Sequence, residues 1–399
     1  MSRKLLLLMF LALMIGTLNL ASRVEKAEAS GTIYIRPDGS IDPPLAPIQC
    51  NGSIYTLTND VTSSEIRIMR NNIVLDGAGY IVTGWDINDG FCFGVSVVAK
   101  NVTVRNVHAT NCYRGIHVAG SNGTVYGCNA TNNNIGISTE QSYQYINIIA
   151  NMISDNDMGI SIGYYSDYNI ISGNNMSSNT RNGIWLGYGV KHNLVSSNNI
   201  TNNEKGVGLY VSSYNTISNN QILANTDSGI YLDTSPNNTI SGNQILNNAH
   251  SGIDMWKSSN NTVAQNIILN HYQDGIRIDK SLDNIFIWNN ITNNLRGAYL
   301  ILSSGNIFNY NNFIDNTNNA PYFGADYSNS WSCNYWYDYT GFDVNDDGIG
   351  DTSYVINDYN KDNSPLIKAI PEFPSLLVLP LFMLVTLLAI IVNRRKHTA

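Results

Sequence analysis

The stretch that decides the fold is NNTISGNQILNN, Asn237 to Asn248, in which polar amides alternate with isoleucine and leucine. Asparagine is abundant along the whole chain, with 59 copies against 22 Lys and Arg and 30 Asp and Glu. Buried amides are stable only when they are hydrogen-bonded. The sequence therefore predicts a fold that provides neutral amides with a regular set of partners.

The composition is that of a folded protein. Hydrophobic residues make up 43% of the chain, whereas disordered chains combine low hydrophobicity with high net charge. The formal net charge of −8 disfavours a nucleic-acid partner, because phosphate binding needs clustered Lys and Arg. We therefore expect a folded protein that does not bind nucleic acid.

Internal repeats organise the middle of the chain. A glycine followed by an aliphatic or alanine residue returns every 21 to 24 residues. Helical repeats are disfavoured, because β-branched residues, Asn, Gly and Ser are poor helix formers. The repeating glycines are Gly94, Gly115, Gly136, Gly159, Gly183, Gly206, Gly229, Gly252, Gly275 and Gly297.

Each repeat is typical of three short β-strands. Positions one and three after the glycine are apolar, as in Ile230 and Leu232, and two further strands are marked by residues such as Ile240 and Ile245. Three strands in about 23 residues make one coil of a solenoid, stacked roughly 4.8 Å from the next. The sequence therefore predicts an all-β parallel β-helix of about 11 coils, which is one domain.

The asparagines return at fixed places in these coils. They lie near positions nine, fourteen and nineteen after the glycine, as in Asn238, Asn243 and Asn248, where we expect the corners between strands. Asparagine tolerates the left-handed backbone of a sharp corner, and its amide both donates and accepts hydrogen bonds. Stacked copies are predicted to form ladders from coil to coil.

The repeated pattern of glycine, isoleucine and asparagine over roughly residues 94–316 resembles the right-handed parallel β-helix family of carbohydrate-binding and sugar-hydrolase repeats. It is most similar to the NosD-like branch, many of whose archaeal members are surface proteins. The segment from Asn334 to Leu366 resembles the aspartate-rich end of such archaeal domains. The resemblance implies a pectate-lyase-like fold but no single function, because this architecture carries lyases, hydrolases, adhesins and a maturation factor for a copper enzyme.

Outward-facing positions of the first strand predict a ligand surface. Residues two and four places after each glycine alternate with the inward residues and are expected to face solvent. Flat rings beside carboxylates suit sugars, whose C–H faces stack while their hydroxyl groups bind acids. The alternative is cross-strand pairing of the aromatics, and of Asp254 with Arg277 on the next coil. The predicted carbohydrate-binding residues are Trp185, Tyr210, Tyr231, Trp256, Tyr299, Lys257 and Lys280.

The same face carries candidate catalytic residues. Strand geometry places the backbone of Asp254 roughly 8 Å from those of Asp233 and Asp279, a separation used by inverting glycosidases. Resemblance to pectin-degrading relatives implies acid and base roles for these aspartates, with Arg277 or Lys280 binding a uronate. The adjacent paired aspartates and the His-containing turn of polygalacturonases are absent from the sequence. Short repeats also leave little room for the walls of a cleft, so catalysis is the alternative to binding.

The segment DVNDDGIGD predicts a calcium loop. Asp343, Asn345, Asp347 and Asp351 occupy positions one, three, five and nine, and the carbonyl of Ile349 is available at position seven. Tyr354 at position twelve replaces the usual glutamate, which disfavours a complete EF-hand. We expect structural calcium, with a metal-free turn as the alternative.

A copper site and an organic cofactor are not expected from the sequence. The histidines at positions 108, 117, 192, 250 and 271 fall at different registers without Cys or Met at ligand spacing. Five cysteines, at positions 50, 92, 112, 128 and 333, leave at least one unpaired thiol. Cys92 and Cys112 fall on neighbouring coils and could form a disulfide, with stacked free thiols as the alternative.

The chain ends predict a place at the cell surface. Residues 1–29 are typical of a secretory signal peptide, with an uncleaved anchor as the alternative. Ser375 to Val392 is an apolar run long enough to span a membrane as a helix, and the basic residues after it predict a cytoplasmic end. The motif PEFPS at Pro371 resembles the sorting tails of archaeal surface proteins that a membrane transpeptidase removes. A permanent anchor is the alternative.

These patterns divide the chain into five parts. Residues 1–29 are the signal peptide, 30–93 an N-terminal cap with irregular coils, 94–320 the β-helix, 321–369 an aromatic and aspartate-rich cap, and 370–399 the tail. An extracellular location also fits N-glycosylation. Acceptor motifs occur at Asn51, Asn101, Asn122, Asn129, Asn175, Asn199, Asn237, Asn260 and Asn290.

The resulting functional hypothesis is an archaeal surface protein that binds polysaccharide or an envelope glycan through its first strand. The first alternative is a polysaccharide lyase or glycoside hydrolase that uses the same face. The second is a NosD-like accessory protein for maturation of a copper enzyme. Only the first two depend on the exposed face of the repeats.

Overall fold

The computed structural model describes residues 31–323 and 327–371. In this part of the chain the protein is a right-handed parallel β-solenoid with about 23 residues per turn and no helices, as predicted. The predicted signal peptide and the predicted membrane span both lie outside the described residues. Among the described residues, none belongs to a helix long and apolar enough to cross a membrane.

Three sheets run along the solenoid, and each complete coil contributes one parallel strand to each sheet. Sheets 1 and 2 also contain antiparallel strands near the ends. Sheet 1 contains the strands that start near the repeating glycines, and it has 14 strands. They are Ile33–Ile35, Ile41–Asp42, Ile66–Ile68, Phe93–Val97, Arg114–Val118, Ile135–Thr139, Met158–Gly163, Asn182–Gly187, Lys205–Tyr210, Ile230–Asp233, Ile253–Trp256, Asp274–Asp279, Arg296–Ile301 and Tyr322–Phe323.

Sheet 2 follows sheet 1 in every coil and has 16 strands. They are Ile48–Asn51, Ile54–Leu57, Val74–Asp76, Thr103–Arg105, Thr124–Tyr126, Asn147–Ile149, Ile170–Ser172, Leu194–Ser196, Thr216–Ser218, Thr239–Ser241, Thr262–Ala264, Ile285–Ile287, Ile307–Asn309, Ser330–Ser332, Tyr354–Asn357 and Asn360–Asp362.

Sheet 3 completes each coil and has 12 strands, so the described solenoid has about 12 turns rather than the 11 predicted. The strands of sheet 3 are Ile81–Thr83, His108–Thr110, Asn129–Thr131, Met152–Ser154, Asn175–Ser177, Asn199–Thr201, Gln221–Leu223, Gln244–Leu246, Ile267–Leu269, Asn290–Thr292, Asn312–Ile314 and Tyr335–Trp336.

Apolar side chains from all three sheets fill the interior. Ile230 and Leu232 from sheet 1, Ile240 from sheet 2 and Ile245 from sheet 3 are all fully buried. The same four places are apolar in the following coil, so each side chain packs on its equivalent one coil away. The core is therefore a continuous column, and each coil depends mainly on its two neighbours.

The asparagine ladders form as predicted. Asn243 shows the pattern: its Nδ2 donates to the carbonyl of Ile217 at 2.9 Å and to Oδ1 of Asn266 at 3.0 Å. Its Oδ1 accepts the backbone N–H of Asn220 at 3.0 Å. Each buried amide thus bonds to the coils on both sides, which satisfies the polar groups that the corners bury.

The left-handed backbone lies one residue earlier than the sequence predicts. Residues with positive φ directly precede the ladder asparagines and vary in type, as with Asn219 before Asn220 and Ala224 before Asn225. Two neighbouring residues therefore divide the two roles. The first turns the chain, and the asparagine after it links the coils, because an amide that bonds both adjacent coils needs its own fixed backbone geometry.

Both ends of the described solenoid are closed by antiparallel pairing. At the beginning, Ile33–Ile35 pairs with Ile41–Asp42, and Ile48–Asn51 pairs with Ile54–Leu57. At the end, Tyr354–Asn357 pairs with Asn360–Asp362. These antiparallel strands form the ends of sheets 1 and 2 at the beginning and of sheet 2 at the end.

Candidate functional site

Glycines on the outer face of sheet 1 create a flat seat for Trp185. A Cβ placed on Gly163 would lie 3.0 Å from Cζ3 of the indole, and one on Gly187 would lie 2.5 Å from its Cη2. Gly163 and Gly187 are paired across adjacent coils. The six-membered ring of Trp185 therefore lies over both glycines, and the side chain remains partly exposed.

Tyrosines extend this aromatic surface along the solenoid. The ring of Tyr210 lies over Gly208, where a Cβ would approach its Cε2 to 2.6 Å. The centroids of Trp185 and Tyr210 are 6.1 Å apart, and those of Tyr210 and Tyr231 are 5.6 Å apart. We call Trp185, Tyr210 and Tyr231 the aromatic platform. Its rings are tilted against each other by 31° and 53°, so they do not cover one another as stacked rings do.

The other two predicted aromatic residues lie against cations of the chain. Nζ of Lys257 is 4.1 Å from the centroid of Trp256, and the guanidinium carbon of Arg296 is 3.9 Å from that of Tyr299. These faces are occupied by cation–π contacts. Tyr231 of the platform also has a cation beside it, because Nζ of Lys205 lies 5.5 Å from its ring centroid. The contacts are closer at Trp256 and Tyr299, which a ligand would reach only beside Lys257 or Arg296.

Charged residues directly before the glycines also reach this face. Nζ of Lys205 lies 2.7 Å from Asp227 and 2.8 Å from Glu204, and Nδ1 of His250 lies 3.9 Å from Asp227. Burial opposes the charge of Lys205, but the two carboxylates outweigh it and raise the pKa of its ammonium above the ordinary value. Sequence reasoning missed these residues because it examined only positions after each glycine, although the charged row at one and two places before it is visible in the repeats.

Asp254 differs from its predicted environment. It was expected to face solvent, yet it is only 5% exposed. Arg277 lies in register with it on the next coil, as predicted, but the nearest atoms of the pair are 3.6 Å apart. The guanidinium of Arg277 also donates a hydrogen bond to Asp279 at 3.1 Å. Arg277 therefore pairs with both carboxylates, and its contact with Asp279 is the closer one.

Burial is the main influence on the ionisation of Asp254. Burial and, to a smaller extent, the charges of Asp227 and Asp274 raise the pKa of this carboxyl, Arg277 and His250 oppose the shift, and the resulting pKa is about 6. Asp274 is fully buried and contacts Arg296 through Oδ1. Burial also raises the pKa of Asp274 above its ordinary value, although Arg296 counteracts part of the effect.

Three carboxylate oxygens at this place lack hydrogen-bond partners. They are Oδ1 of Asp254, Oδ2 of Asp274 and Oδ1 of Asp279, and all are shielded from solvent. We call Asp254, Asp274 and Asp279 the carboxylate strip. Asp233, the remaining catalytic candidate, pairs with Trp256, which pairs with Asp279. Asp233 therefore lies two coils from Asp279, with its carboxylate bonded to the hydroxyl of Thr234 at 2.8 Å.

The predicted calcium residues form a compact loop. The carboxylate of Asp343 accepts the backbone N–H groups of Asp347 and Gly348 at 3.1 and 2.8 Å, and Asp351 accepts that of Val344 at 2.7 Å. Nδ2 of Asn345 donates to Asp347 at 3.0 Å. Ile349 forms a bridge with Leu366, which attaches the loop to the end of the solenoid. The described residues, which include this loop, contain no group of three or more His, Cys, Asp or Glu side chains placed to hold a metal ion, and calcium binding stays a prediction.

A second aromatic group, missed by the sequence reasoning, lies at the corner between sheets 1 and 2. Tyr145, Tyr168, His192 and Tyr214 stack in a column, with centroids 5.6, 5.0 and 5.5 Å apart. Their spacing of 22 to 24 residues is visible in the sequence. Because the ring faces cover one another, this column presents mainly edges to solvent, unlike the aromatic platform.

The five cysteines are free thiols in the structure. Cys92 and Cys112 are buried on neighbouring coils, and their hydrogen bond lowers the pKa of Cys92 to about 6. The nine asparagines of the glycosylation motifs are all outside the buried ladders. Glycosylation at these places therefore stays a prediction that the fold permits.

Solved structures with the same fold include proteins that act on polysaccharides. The periplasmic alginate epimerase AlgG aligns with a TM-score of 0.51 at 15% identity, covering 71% of this chain and 80% of that one. The Dettilon tailspike protein aligns with a TM-score of 0.51 at 14% identity, covering 68% of this chain and 61% of that one. At these identities the likeness shows the fold alone. No curated protein sequence matches the chain.

The model of the family described as periplasmic copper-binding protein (NosD) matches residues 57–226 and 191–341. Copper sites in proteins use nitrogen and sulfur ligands from several side chains. The described residues contain no group of three or more His, Cys, Asp or Glu side chains placed to hold a metal ion. Their arrangement therefore does not fit a copper centre of that kind.

Membership of the family rests on the repeats themselves. The matched regions extend over most of the solenoid and include every coil that carries the aromatic platform and the carboxylate strip. This coverage exceeds half of the sequence. The chain therefore belongs to the NosD family.

Proposed function

We propose that the protein binds polysaccharide at the cell surface through the outer face of sheet 1. The observation that carries this proposal is the seat of Trp185 on Gly163 and Gly187, which lays the indole against the sheet, with the ring of Tyr188 edge-on to it at a centroid distance of 5.4 Å. Tyr210 repeats the arrangement over Gly208. Sugar rings present C–H faces that pack on such flat aromatic surfaces.

The fold and family support this proposal. A parallel β-helix offers a long, straight row of equivalent strands, which suits a polymer with repeated units. AlgG, whose fold the chain shares, is an alginate epimerase. The predicted signal peptide and membrane tail would hold the solenoid outside the cell, where polysaccharides are found.

The test is binding of the immobilised full-length protein to an array of polysaccharides. Trp185→Ala should weaken binding about tenfold, because loss of one aromatic contact removes roughly 1 to 1.5 kcal/mol. Trp288→Ala is the matched control, since Trp288 is a partly exposed tryptophan at a corner outside sheet 1. Equal loss in both variants, or no binding by the wild-type protein, would contradict the proposal.

A glycosidase activity is the second candidate function. The observation that favours it is Asp254, whose carboxyl has a pKa raised by burial to about 6, as a general acid that works near neutral pH requires. Incubation with each bound polymer should then release reducing ends, and Asp254→Asn should abolish the release while leaving binding measurable. Polymers that remain intact after prolonged incubation would leave binding as the function.

A further inference from the structure

Three exposed tyrosines lie just past the ends of sheet 1 strands, beside the aromatic platform. Tyr164 and Tyr165 follow the strand Met158–Gly163, and Tyr188 follows the strand Asn182–Gly187. Their exposed fractions are 47%, 64% and 51%. We call them the strand-end tyrosines. A cluster of exposed aromatic rings of this kind is typical of a binding surface.

Ring contacts join the strand-end tyrosines to the platform. The ring of Tyr188 lies edge-on to that of Trp185, with centroids 5.4 Å apart, and it stacks on the ring of Tyr164 at 5.3 Å. Tyr165 lies against Gly189, where a Cβ would approach its Cε1 to 2.4 Å. Gly189 therefore makes room for an aromatic ring, as the glycines beneath Trp185 do. The two groups form one continuous aromatic surface.

The pairing of the strands places one ring of this surface in each of four successive coils. One row of paired residues crosses these coils and consists of Gly163, Gly187, Tyr210 and Asp233. From coil to coil, a tyrosine lies two places after this row, one place after it, within it, and two places before it. These tyrosines are Tyr165, Tyr188, Tyr210 and Tyr231. They therefore follow an oblique line across sheet 1 and past its edge.

The backbone fixes the upper part of this line. The N–H of Tyr165 donates to the carbonyl of Tyr188 at 3.3 Å, and the N–H of Tyr188 donates to the carbonyl of Tyr210 at 2.9 Å. With coils about 4.8 Å apart and a rise of about 3.3 Å per residue, the line from Tyr165 to Tyr231 is roughly 20 Å long. This length is enough for several sugar units of a polymer.

A straight path along sheet 1 offers fewer free rings than the oblique line. From Tyr210 it would pass to Asp233 on the next coil and then to Trp256. The ring of Trp256 is already in contact with Lys257, whose Nζ lies 4.1 Å from its centroid. The oblique line instead reaches Tyr165, which is the most exposed of the strand-end tyrosines.

We propose that the strand-end tyrosines are further contact sites for the polysaccharide, and that the bound chain crosses sheet 1 obliquely from Tyr165 to Tyr231. This inference rests on the proposed function. Sugar rings pack their C–H faces on aromatic side chains, and a chain on this line meets one in each of four coils. The ligand is therefore an internal stretch of a polymer rather than a single sugar.

Tyr165→Ala in the immobilised full-length protein tests the inference on the polysaccharide that the wild-type protein binds. The variant should bind it about fivefold more weakly, because one aromatic contact is lost. Tyr165→Phe retains the ring and should bind as the wild type does. Tyr126→Ala is the matched control, since Tyr126 is an exposed tyrosine on sheet 2. The circular dichroism spectrum of each variant checks that its fold is retained.

Oligosaccharides cut from the bound polymer test the oblique course. In the wild-type protein, affinity should rise with chain length until the oligosaccharide spans roughly 20 Å. In Tyr165→Ala the rise should end at a shorter length, because one end of the line no longer holds the chain. The same length dependence in both proteins would contradict a contact at Tyr165.

The outcomes separate this inference from the proposed function. Unchanged binding in Tyr165→Ala, an equal loss in Tyr126→Ala, or a loss in Tyr165→Phe as large as in Tyr165→Ala would overturn the contact while leaving polysaccharide binding intact. A larger loss in Trp256→Ala than in Tyr165→Ala would overturn the oblique course and favour a chain that lies straight along sheet 1. Absence of binding to every polymer would overturn both the inference and the proposed function.

Discussion

Asp254 is a carboxyl group that the fold removes from water without supplying hydrogen bonds to both of its oxygens. Its charge is opposed by burial and by Asp227 and Asp274, and supported by Arg277 and His250. A group in this state weakens the native structure when it ionises. Its presence on the face that carries the aromatic platform is therefore better explained by ligand binding or chemistry than by stability.

The pH dependence of stability should reveal Asp254. Its pKa of about 6 in the folded state exceeds the ordinary value of 3.8, so the native protein retains a proton that the unfolded chain has lost between these values. The free energy of unfolding should therefore fall as pH rises from about 4 to 6, by up to about 3 kcal/mol for this group. Asp254→Asn should remove that part of the slope and be more stable than wild type at pH 7.

Chemical unfolding of both proteins between pH 4 and 8 provides the measurement. The difference between them isolates Asp254 from Asp274, whose pKa is also raised. Asp315→Asn serves as the control at an exposed place. Parallel profiles for wild type and Asp254→Asn would show that the carboxyl is not destabilised in the folded protein.

The ladder asparagines have the opposite effect on stability. Nδ2 of Asn220 donates to Val195 at 3.0 Å and to Asn243 at 2.9 Å, and its Oδ1 accepts the N–H of Asn198 at 3.0 Å. Asn220→Ala leaves these buried partners unsatisfied and should lower the free energy of unfolding by about 3 kcal/mol. Gln221→Ala, which removes an exposed amide from the next residue, should change it by less than about 0.5 kcal/mol. Similar losses in the two variants, measured by denaturant unfolding, would contradict this account.

At the scale of elements, each repeating glycine at the start of a sheet 1 strand lies in a tightly packed place. A Cβ on Gly229 would lie 2.8 Å from the carbonyl oxygen of Gly252 and 2.5 Å from Cγ2 of Ile245. The glycine is thus required by two close contacts, one with Ile245 of its own coil and one with Gly252 of the next coil. This requirement explains why glycine returns once in every repeat, at the same register of the strand.

Gly229→Ala should therefore destabilise the solenoid by about 1 to 3 kcal/mol, because the methyl group can fit only if Ile245 and the backbone of the next coil both move. Gly90→Ala is the control, since a Cβ on Gly90 would meet nothing within 4 Å. Thermal unfolding of the two variants gives the comparison. A Gly229→Ala protein as stable as Gly90→Ala would show that the coils can separate without loss.

At the scale of the whole molecule, stability is a chain of interactions between adjacent coils. One asparagine ladder ends on Asp362, whose Oδ2 accepts the backbone N–H of Asn334 at 2.9 Å, its Nδ2 at 3.0 Å and Nε1 of Trp336 at 3.2 Å. A single carboxylate oxygen thus closes the end of the ladder. Loss of this acceptor should open the structure from its C-terminal end rather than as a whole.

Asp362→Ala should accelerate hydrogen exchange in the coils next to residue 362 and leave coils such as those near Ile137 unchanged, because each coil contacts only its neighbours. Asp362→Asn retains an acceptor oxygen of the kind used by every other rung and should have a smaller effect. Uniform acceleration along the whole chain in Asp362→Ala would contradict the local character of the interaction.

The solenoid could be predicted from the sequence because its information is local and repeated. The alternation around Ile230 and Leu232, the return of glycine and the three asparagine positions each recur in successive coils. A structure in which every coil packs on its own copy needs no knowledge of distant contacts. The sequence by itself therefore determined the strands, the inward residues, the ladders and the family.

The candidate site was only partly predictable, since its properties depend on how side chains from different coils lie together. The sequence placed Trp185, Asp254 and Arg277 on one face, but the seat of the indole on Gly163 depends on the close approach of adjacent coils. The burial of Asp254 and the hydrogen bond from Arg277 to Asp279 likewise depend on the tertiary structure. The physical reason is that burial and hydrogen bonding are properties of a packed neighbourhood, whereas periodicity is a property of the chain.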